Sequence, residues 1–464
     1  MVQLNRSMME RYEIADRQPK TLRAALFGLD PMMLCAAARL LDCANEHGGD
    51  LGAVCITNSA EAEHLRAQDG MFTLLIRGEH EDGSPIREER VVQSILEVAT
   101  VENGCQYIKN PELNLFILPY LSDQQSYVQQ AYILTVYLRA RWEAKLPAPL
   151  VLLIDSSPAA TSTFTLRSLI AEVAAVSKTQ GFSDWLKDVP VQTMLVDSLF
   201  GELSDTDFAK AQREMNYQDR FLLWAEPQLK CTAESELPEE LAAVCERVDF
   251  SLAIERKGRV FDSLMFLCST VGFLSGMDTF SQVLRDEKLR EFIGHAFFDE
   301  IMPVLPWARE EISPYVISSF ARLENPMNDA LLMDAPLIGR ISRTLLPSIR
   351  SYAQREFEAP PRLSLAFAAA IMIYAGAREN DDKKYEVLRG DKKYILNDLS
   401  RIVASFSQYA HDMPAESLAY AVLSDRELWD EDLREIDGLE QRLCLYLDSI
   451  QRVGFRETLR LCGE

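Results

Sequence analysis

The sequence of 464 residues predicts an N-terminal α/β domain with a mainly parallel sheet, followed by an all-helical domain. In the first half, short apolar runs that suit buried strands alternate with stretches of helical periodicity, an order typical of parallel strands joined by crossover helices. From about residue 257 the helical pattern continues almost without interruption. A polar segment that contains proline, at 230–241, separates the two patterns. We therefore expect one domain at residues 1–245 and a second at 246–464.

The predicted elements follow one another in a regular order. A strand at 22–27 precedes a helix over 32–48, and a second strand covers 52–57. The short apolar runs at 72–78, 113–118 and 149–155 each suit a buried strand. In the second half, the apolar segments at 263–274 and 363–377 are long enough for core helices. Prolines separate the helical segments, at Pro303, Pro306, Pro326, Pro347, Pro360 and Pro361.

Composition disfavours several classes of partner. The 71 acidic residues outnumber the 48 basic residues, and the resulting net charge of -23 repels a phosphate backbone, so we expect no nucleic-acid partner. The longest apolar stretches, 263–277 and 363–377, run to about 15 residues, whereas a membrane-spanning helix needs about 20. The first 17 residues are too charged for a signal peptide. We expect no membrane partner and a cytoplasmic location.

Cysteine and histidine usage gives no sign of a metal site. The nine cysteines include no Cys-x-x-Cys pair, a pattern typical of reduced thiols in the cytoplasm. The five histidines are dispersed along the sequence, which argues against a His-rich metal site. His295 and His411 receive no functional role. The phosphate-binding loop, the His-Glu-x-x-His helix and the Gly-x-Ser-x-Gly elbow are absent from the sequence. We expect no metal cofactor.

Several segments resemble the polyol-specific long-chain (mannitol) dehydrogenase family. The segment QDGMFTLLIRG at 68–78 resembles a family signature, and others follow in the same order at 110–116, 222–227, 299–305, 324–326, 360–376 and 418–440. The resemblance implies a Rossmann-type, doubly wound N-terminal domain, a helical substrate domain and an active site in the cleft between them. It further implies that NAD is the cofactor, that a sugar acid or polyol is interconverted with its keto form, and that the chain is a monomer or homodimer.

The resemblance places the cofactor turn at residues 27–32. Family members have Phe-Gly-x-Gly-x-Phe there, whereas this chain has Phe27, Gly28 and, at the second glycine, Asp30. A carboxylate at that position would face the pyrophosphate, and its Cβ would hinder close approach. Alternatively, Asp30 caps the following helix, with Pro31 in the first helical position. The resemblance also places Arg77 among the cofactor-binding positions.

The family's catalytic signature, Lys-x-x-x-x-Asn-x-x-His, aligns with Lys257, Asp262 and Met265. The resemblance makes Lys257 the general base on the substrate hydroxyl, while Asn and His would polarise the substrate oxygen. A thioether donates no hydrogen bond, and an ionised aspartate lacks the amide donors of Asn. Each residue also has a purely structural alternative: Lys257 could be a solvated charge in a loop, Asp262 could be the N-cap of the following helix, and Met265 could be a core residue.

Other functional segments of the family are also substituted. Its Asn-Thr-Thr-Glu corresponds to residues 119–122, and a later Glu and Asn correspond to Ser157 and Ser162. Its Val-Asp-Arg keeps Asp197 but has Ser198, and the basic and His residues expected after Asn325 are missing, with Asn328 and Asp329 in that region. Three hypotheses follow: an active NAD-dependent oxidoreductase that uses Lys257, a pseudoenzyme of the same fold, and a different reaction in the same cleft.

Overall fold

The computed structural model describes all residues except 1, 15–17, 59, 61, 81–83, 121–123, 158–161, 177–178, 180, 204, 326–331, 334–336, 382, 399, 410–411 and 464. The chain divides into two compact units, Met1–Ile254 and Glu255–Glu464. Within the described residues, no helix combines the length and apolar character needed to cross a membrane.

Among the described residues, sixteen strands form four sheets, and three of these sheets lie in the first unit. The strands are β1 (Val2–Gln3), β2 (Leu22–Phe27), β3 (Gly52–Ile56), β4 (Phe72–Glu79), β5 (Pro85–Val92), β6 (Ile95–Ala99), β7 (Leu115–Pro119), β8 (Leu150–Asp155), β9 (Val191–Val196), β10 (Phe200–Glu202), β11 (Tyr217–Gln218), β12 (Leu223–Ala225), β13 (Cys231–Ala233), β14 (Arg378–Glu379), β15 (Tyr385–Arg389) and β16 (Lys392–Ile395).

Helices connect the strands of the first unit and make up most of the second. The α-helices are α1 (Arg6–Arg11), α2 (Pro31–Glu46), α3 (Ala62–Ala67), α4 (Cys105–Ile108), α5 (Gln124–Glu143), α6 (Ser162–Val176), α7 (Phe182–Lys187), α8 (Asp205–Glu214), α9 (Glu239–Ala242), α10 (Phe250–Arg256), α11 (Ser263–Leu274), α12 (Phe280–Arg285), α13 (Glu287–His295), α14 (Arg309–Glu324), α15 (Ile338–Ile341), α16 (Leu345–Glu356), α17 (Pro361–Ala375), α18 (Ser400–Ser407), α19 (Ala415–Leu423), α20 (Arg426–Trp429), α21 (Leu439–Val453) and α22 (Phe455–Gly463).

The main sheet of the first unit has seven strands in the order β13-β9-β8-β7-β2-β3-β6. All neighbouring pairs are parallel except β13 with β9. Side chains alternate across β2: Ala24 and Leu26 pack in the core cluster that contains α2, while Ala25 and Phe27 pack in the cluster that contains α5. Helices therefore cover both faces, which confirms the predicted doubly wound α/β fold.

The apolar run at 72–78 forms β4, yet β4 lies outside the main sheet. It belongs to a four-stranded sheet in the order β10-β12-β4-β5, where it pairs antiparallel with β5 and parallel with β12. Half of the residues of β5 are charged, and seven of its eight residues are partly or fully exposed. A strand in the middle of the main sheet would not have such an exposed neighbour. An apolar run predicts a strand but does not identify the strand with which it pairs.

The second unit is helical except for the small antiparallel sheet β14-β15-β16. All described residues of α17 from Leu363 to Ala375 are buried, as are nearly all of α11, and the two helices pack against each other. These are the two apolar segments predicted to be core helices. Because they are apolar on all sides, each must be surrounded by other helices.

Arg389, on β15, connects the small sheet to the C-terminal end of α11. Its guanidinium donates to the carbonyl of Phe273 at 3.1 Å, pairs with Asp278 and lies 4.7 Å from the ring centroids of both Phe273 and Tyr394. Lys392 also pairs with Asp278, at 3.3 Å, but its side chain is 70% exposed, compared with 20% for Arg389. The same carboxylate thus has one sheltered and one solvated partner.

Arg389→Met should lower the free energy of unfolding by about 2–3 kcal/mol, because it leaves a partly buried carboxylate and backbone carbonyl without their charged donor. Lys392→Met, the matched control, should lower it by less than about 1 kcal/mol, since a solvated ion pair contributes little. Urea denaturation of the two variants checks this prediction. Equal losses of unfolding free energy in the two variants would show that the burial of Arg389 does not strengthen its pairing with Asp278.

Asp42, on α2, makes the stability of the first unit depend on pH. Burial raises the pKa of its carboxyl group from 3.8 to about 6, although the nearby Ser94 and the charges of Arg90 and Arg39 oppose that rise. The folded protein therefore binds a proton more tightly than the unfolded chain does. This contribution to stability is complete below pH 3.8 and is lost as the pH rises through about 6.

Asp42→Asn should therefore raise the free energy of unfolding by about 1–3 kcal/mol at pH 7.5 and by much less at pH 4. The amide keeps the size of the carboxyl group and a polar partner for Ser94. Urea unfolding of both proteins at the two pH values checks the prediction. The same difference at both pH values would contradict it.

Candidate active site

The main sheet has a topological switch point at the carboxyl end of β2. From β2 the chain passes to β3 on one side of the sheet and later enters β7 on the other side. Ligands of open α/β sheets bind at the carboxyl edge where the strand order reverses in this way. The turn that begins at Gly28 and the end of β7 at Pro119 flank this point.

Gly28 retains the conformation that a nucleotide-binding turn requires. Its φ is +98°, its N–H donates to the carbonyl of Ile56 at 3.0 Å, and no described atom lies within 4 Å of the position that a Cβ would occupy. The positive φ favours glycine, and the open space lets another group approach the backbone. Phe27, by contrast, is buried against Phe116 and Tyr137, with ring centroids 5.4 and 5.6 Å away. Phe27 therefore supports the turn from within the core.

Asp30 caps α2. One of its carboxylate oxygens accepts the N–H of Met33 at 2.8 Å, and Pro31 occupies the first helical position. This is the alternative that the sequence left open, and it places a negative charge where a pyrophosphate would need free N–H groups and the positive end of the helix. The Asp30 carboxylate therefore disfavours, at the N-terminus of α2, the pyrophosphate of a dinucleotide.

Three residues near the switch point were missed by the sequence analysis. Tyr127 and Gln130 lie in the first turns of α5 and are buried, and within the described part of the chain neither the Tyr127 Oη nor the Gln130 Oε1 has a hydrogen-bond partner. Asp155, at the end of β8, is also buried and accepts the N–H of Ser157 at 2.7 Å. Burial raises the pKa of the Tyr127 phenol, and the nearby Asp155 contributes to the rise.

These buried polar atoms give the switch point a capacity to bind polar groups. The phenol of Tyr127 stays protonated and can donate a hydrogen bond, while the free carbonyl oxygen of Gln130 can accept one. A buried polar atom without a partner is destabilising, so a polar ligand that satisfied both atoms would gain affinity. These residues are hard to identify from the sequence, because Tyr127 and Gln130 lie within a helix, Asp155 ends a strand, and the three form no recognisable motif.

Arg77 lies on β4, in the four-stranded sheet and not in the main sheet that carries Gly28. Its side chain is half-buried, and its backbone pairs with that of Arg87 on β5. Its role in cofactor binding stays a prediction.

In the second unit, Lys257 and Asp262 form a buried ion pair. Their side chains are only 6% and 5% exposed, and the ammonium donates to the carboxylate. The Lys257 Nζ also lies 5.3 Å from the centroid of the Phe261 ring, whose centroid is 4.1 Å from the guanidinium carbon of Arg322. Lys257 is therefore not a solvated loop charge. Asp262 makes no side-chain cap to α11, so the N-cap alternative is wrong as well.

The pair is brought together by a π-helical turn, Lys257–Asp262, that joins α10 to α11. The wider turn sets the two side chains five residues apart on one side, and the hydroxyl of Ser263 donates to the carbonyl of Gly258 at 3.1 Å. Close packing explains the glycine at position 258, because a Cβ there would lie 3.0 Å from the carbonyl oxygen of Arg343. Single π-helical turns within α-helices are frequent at functional sites.

Met265 is the accessible position in the first turns of α11. It is half-buried, whereas the other residues from Ser263 to Phe273 are buried. It follows Asp262 by three residues, so the two positions share one side of the helix. Met265 is therefore not simply core, yet its thioether brings no hydrogen-bond donor to that side.

The remaining substituted positions have structural partners. The N–H of Tyr120 donates to the carbonyl of Ile154 at 2.8 Å, and the Ser198 hydroxyl donates to the carbonyl of Gln228 at 3.1 Å. Ser162 begins α6, Asp197 follows β9, and Asn325 ends α14, and all three are buried. Leu121, Ser122, Pro326, Asn328, Asp329 and His411 lie outside the described residues.

His295 is exposed and pairs with Asp299 at 2.8 Å. In the part of the chain that the structure describes, no group of three or more His, Cys, Asp or Glu side chains is arranged to hold a metal ion.

Comparisons with known proteins agree with the fold and with the resemblance seen in the sequence. No protein-family model matches the chain. The altronate oxidoreductase of Klebsiella pneumoniae (strain 342) is 26% identical, and the match covers 91% of this chain and 93% of that protein. The altronate oxidoreductase of Pectobacterium carotovorum subsp. carotovorum (strain PC1) is also 26% identical, with 90% and 92% covered.

Two solved structures share the whole fold. The mannitol 2-dehydrogenase of Pseudomonas fluorescens, solved with NAD and D-mannitol, superposes with a TM-score of 0.77 at 16% identity, and 99% of each chain is covered. A substrate-free D-sorbitol dehydrogenase gives a TM-score of 0.71 at 15% identity, with 99% of this chain and 100% of that chain covered. The resemblance to the polyol-specific long-chain dehydrogenases is thus confirmed: the chain is similar to altronate oxidoreductases over nearly its full length and has the fold of mannitol 2-dehydrogenase.

Proposed function

We propose that this protein is an oxidoreductase that interconverts a hexonate or polyol with its keto form, with NAD as the oxidant by similarity to its relatives. One observation carries the proposal: a lysine is held in a buried ion pair at the position of the family's general base. Similarity to altronate oxidoreductases over 91% of the chain supports the substrate class. The Tyr127 Oη and the Gln130 Oε1, which have no hydrogen-bond partner among the described residues, support a polar ligand in the first unit.

Lys257 is the residue that would move the proton. In the oxidative direction its amine would take the proton of the substrate hydroxyl. In the reductive direction the ammonium would return that proton to the oxygen. Met265 adds no donor to stabilise the oxygen, so we expect a slow reaction even with a good substrate.

A second candidate function is a pseudoenzyme that keeps the fold for binding or regulation. Two observations favour it: the Asp30 carboxylate occupies the N-terminus of α2, and Met265 stands at the position of the family's histidine. Both candidates allow a polar ligand to bind, but only the first requires hydride transfer.

The deciding experiment is a titration of the full-length protein with NADH and NAD, followed by its five Trp residues and by calorimetry. Saturable binding, then NADH consumption with a panel of keto-hexonates and ketoses that includes tagaturonate, is the result expected for an oxidoreductase. We expect Lys257→Arg to abolish turnover, because arginine keeps the ion pair but cannot act as a base. Lys288→Met, which changes an exposed lysine on α13, should leave turnover unchanged.

Absence of NAD(H) binding in a folded sample would overturn the dehydrogenase proposal and leave the pseudoenzyme. Binding without turnover on any substrate of the panel would have the same consequence for catalysis. Turnover that survives in Lys257→Arg would leave the reaction class standing but remove Lys257 from it.

A further inference from the structure

Two cysteines that are 14 residues apart in the sequence face each other at the edge of the main sheet. The Sγ atoms of Cys231, the first residue of β13, and Cys245, just after α9, are 3.3 Å apart. Backbone contacts hold the two segments side by side: the N–H of Glu246 donates to the carbonyl of Cys231 at 2.8 Å, and the thiol of Cys231 donates to the carbonyl of Val244 at 3.4 Å. A disulfide here would need the sulfur atoms to approach by only about 1.3 Å.

The two thiols have different environments. Cys231 is 1% exposed, whereas Cys245 is half-buried and within reach of a small reagent. The contact between the two thiols lowers the pKa of Cys245, and the same contact, together with burial, raises the pKa of Cys231. Cys245 is therefore the better nucleophile of the two, and the Cys231 sulfur lies within 3.3 Å of the Cys245 sulfur.

We propose that Cys231 and Cys245 are a thiol pair that is oxidised to an intramolecular disulfide by a small-molecule disulfide. The Cys245 thiolate attacks one sulfur of the reagent, a mixed disulfide forms, and the reagent's S–S bond breaks to release one thiolate. Cys231 then loses its proton to that thiolate and attacks the Cys245 sulfur, which expels the second small thiolate. Two electrons pass from the cysteine pair to the reagent, and two small thiols are formed.

The disulfide would close the segment between the edge strand β13 and the turn after α9. β13 is the edge strand of the described seven-stranded sheet and pairs with β9. A disulfide would add a covalent link at this edge. Closing a loop of this length restricts the unfolded chain, and we expect the oxidised protein to melt at a temperature a few degrees higher. The thiol pair is independent of hydride transfer and of the dinucleotide turn.

The test is incubation of the full-length protein with oxidised glutathione, followed by thiol counting under denaturing conditions and peptide mapping. We expect the nine thiols to fall to seven, with one cross-linked peptide that contains Cys231 and Cys245, and full reversal by dithiothreitol. Cys245→Ser should retain its remaining eight thiols. Cys231→Ala should instead accumulate a glutathione adduct on Cys245, because the resolving thiol is gone.

Cys105→Ser is the matched control, since Cys105 is also half-buried, and it should lose two thiols as the parent does. Cys43 on α2 is the competing partner, because it lies close enough to Cys231 to influence that thiol electrostatically. A Cys43–Cys231 link, a stable glutathione adduct on Cys245 of the parent protein, or nine surviving thiols would each overturn the proposal. The peptide map of the parent decides the matter even if a variant fails to fold.

Discussion

Asp262→Ala is expected to lower the free energy of unfolding by about 3–5 kcal/mol, because it leaves the Lys257 ammonium buried without its counter-charge. The Lys257 and Asp262 side chains are only 6% and 5% exposed, so the remaining ammonium would be poorly hydrated. Urea denaturation of the parent and the variant, followed by circular dichroism, measures the loss.

Asp448→Ala is the matched control in the same unit. Asp448 pairs with Arg452 at 3.2 Å on α21, but both side chains are mostly exposed, so the loss should be below about 1 kcal/mol. Replacing both partners of the buried pair, as Lys257→Met with Asp262→Leu, should restore most of the stability that Asp262→Ala loses. Equal effects of Asp262→Ala and Asp448→Ala would contradict the burial of the Lys257–Asp262 pair.

The triple variant Asp30→Gly, Asp262→Asn and Met265→His is expected to raise NAD-linked turnover at least about 100-fold, because one restored oxyanion donor typically changes the rate by about 100- to 1,000-fold. The substitution at position 30 removes the carboxylate that caps α2 and frees the N-terminus for a pyrophosphate. The other two substitutions supply an amide beside Lys257 and an imidazole at the half-buried position 265 of α11. Steady-state rates with the substrate panel described above check the prediction.

Asp30→Gly alone should tighten NADH binding without raising the maximal rate, which separates cofactor binding from chemistry. Replacing Met265 by leucine in the triple variant, in place of histidine, keeps the side-chain size but adds no donor, and most of the gain should vanish. A well-folded triple variant with no gain over the parent would mean that the other substituted segments, such as Pro119–Tyr120 and Ser198, also block the reaction.

The fold was accessible from the sequence because its signals are local. The alternation of strand and helix patterns at 22–57 can be recognised within a short window of sequence, and so can the apolar helices at 263–274 and 363–377. Asp30 followed by Pro31 is a local signal too, and the structure has the predicted cap. The family resemblance extended this local information to the positions of the cofactor turn and of Lys257.

Other features depend on residues that are distant in the sequence. The run at 72–78 predicts a strand, but its place beside β5 and β12 is set by pairing energies between separate segments. Lys257, in a stretch of charged residues, has the local pattern of a solvated loop, yet it lies in a π-helical turn and forms a buried pair with Asp262.

Strand and helix type, the α/β alternation and the capped turn thus follow from periodicity and side-chain chemistry along the chain, whereas the doubly wound order was implied by the family resemblance. The identity of each strand's partner, the burial of Lys257, the unsatisfied polar atoms of Tyr127 and Gln130, and the contact between Cys231 and Cys245 exist only in the folded chain. The physical reason is that burial and pairing are properties of contacts between segments, and their free energy depends on neighbours that a local pattern does not specify.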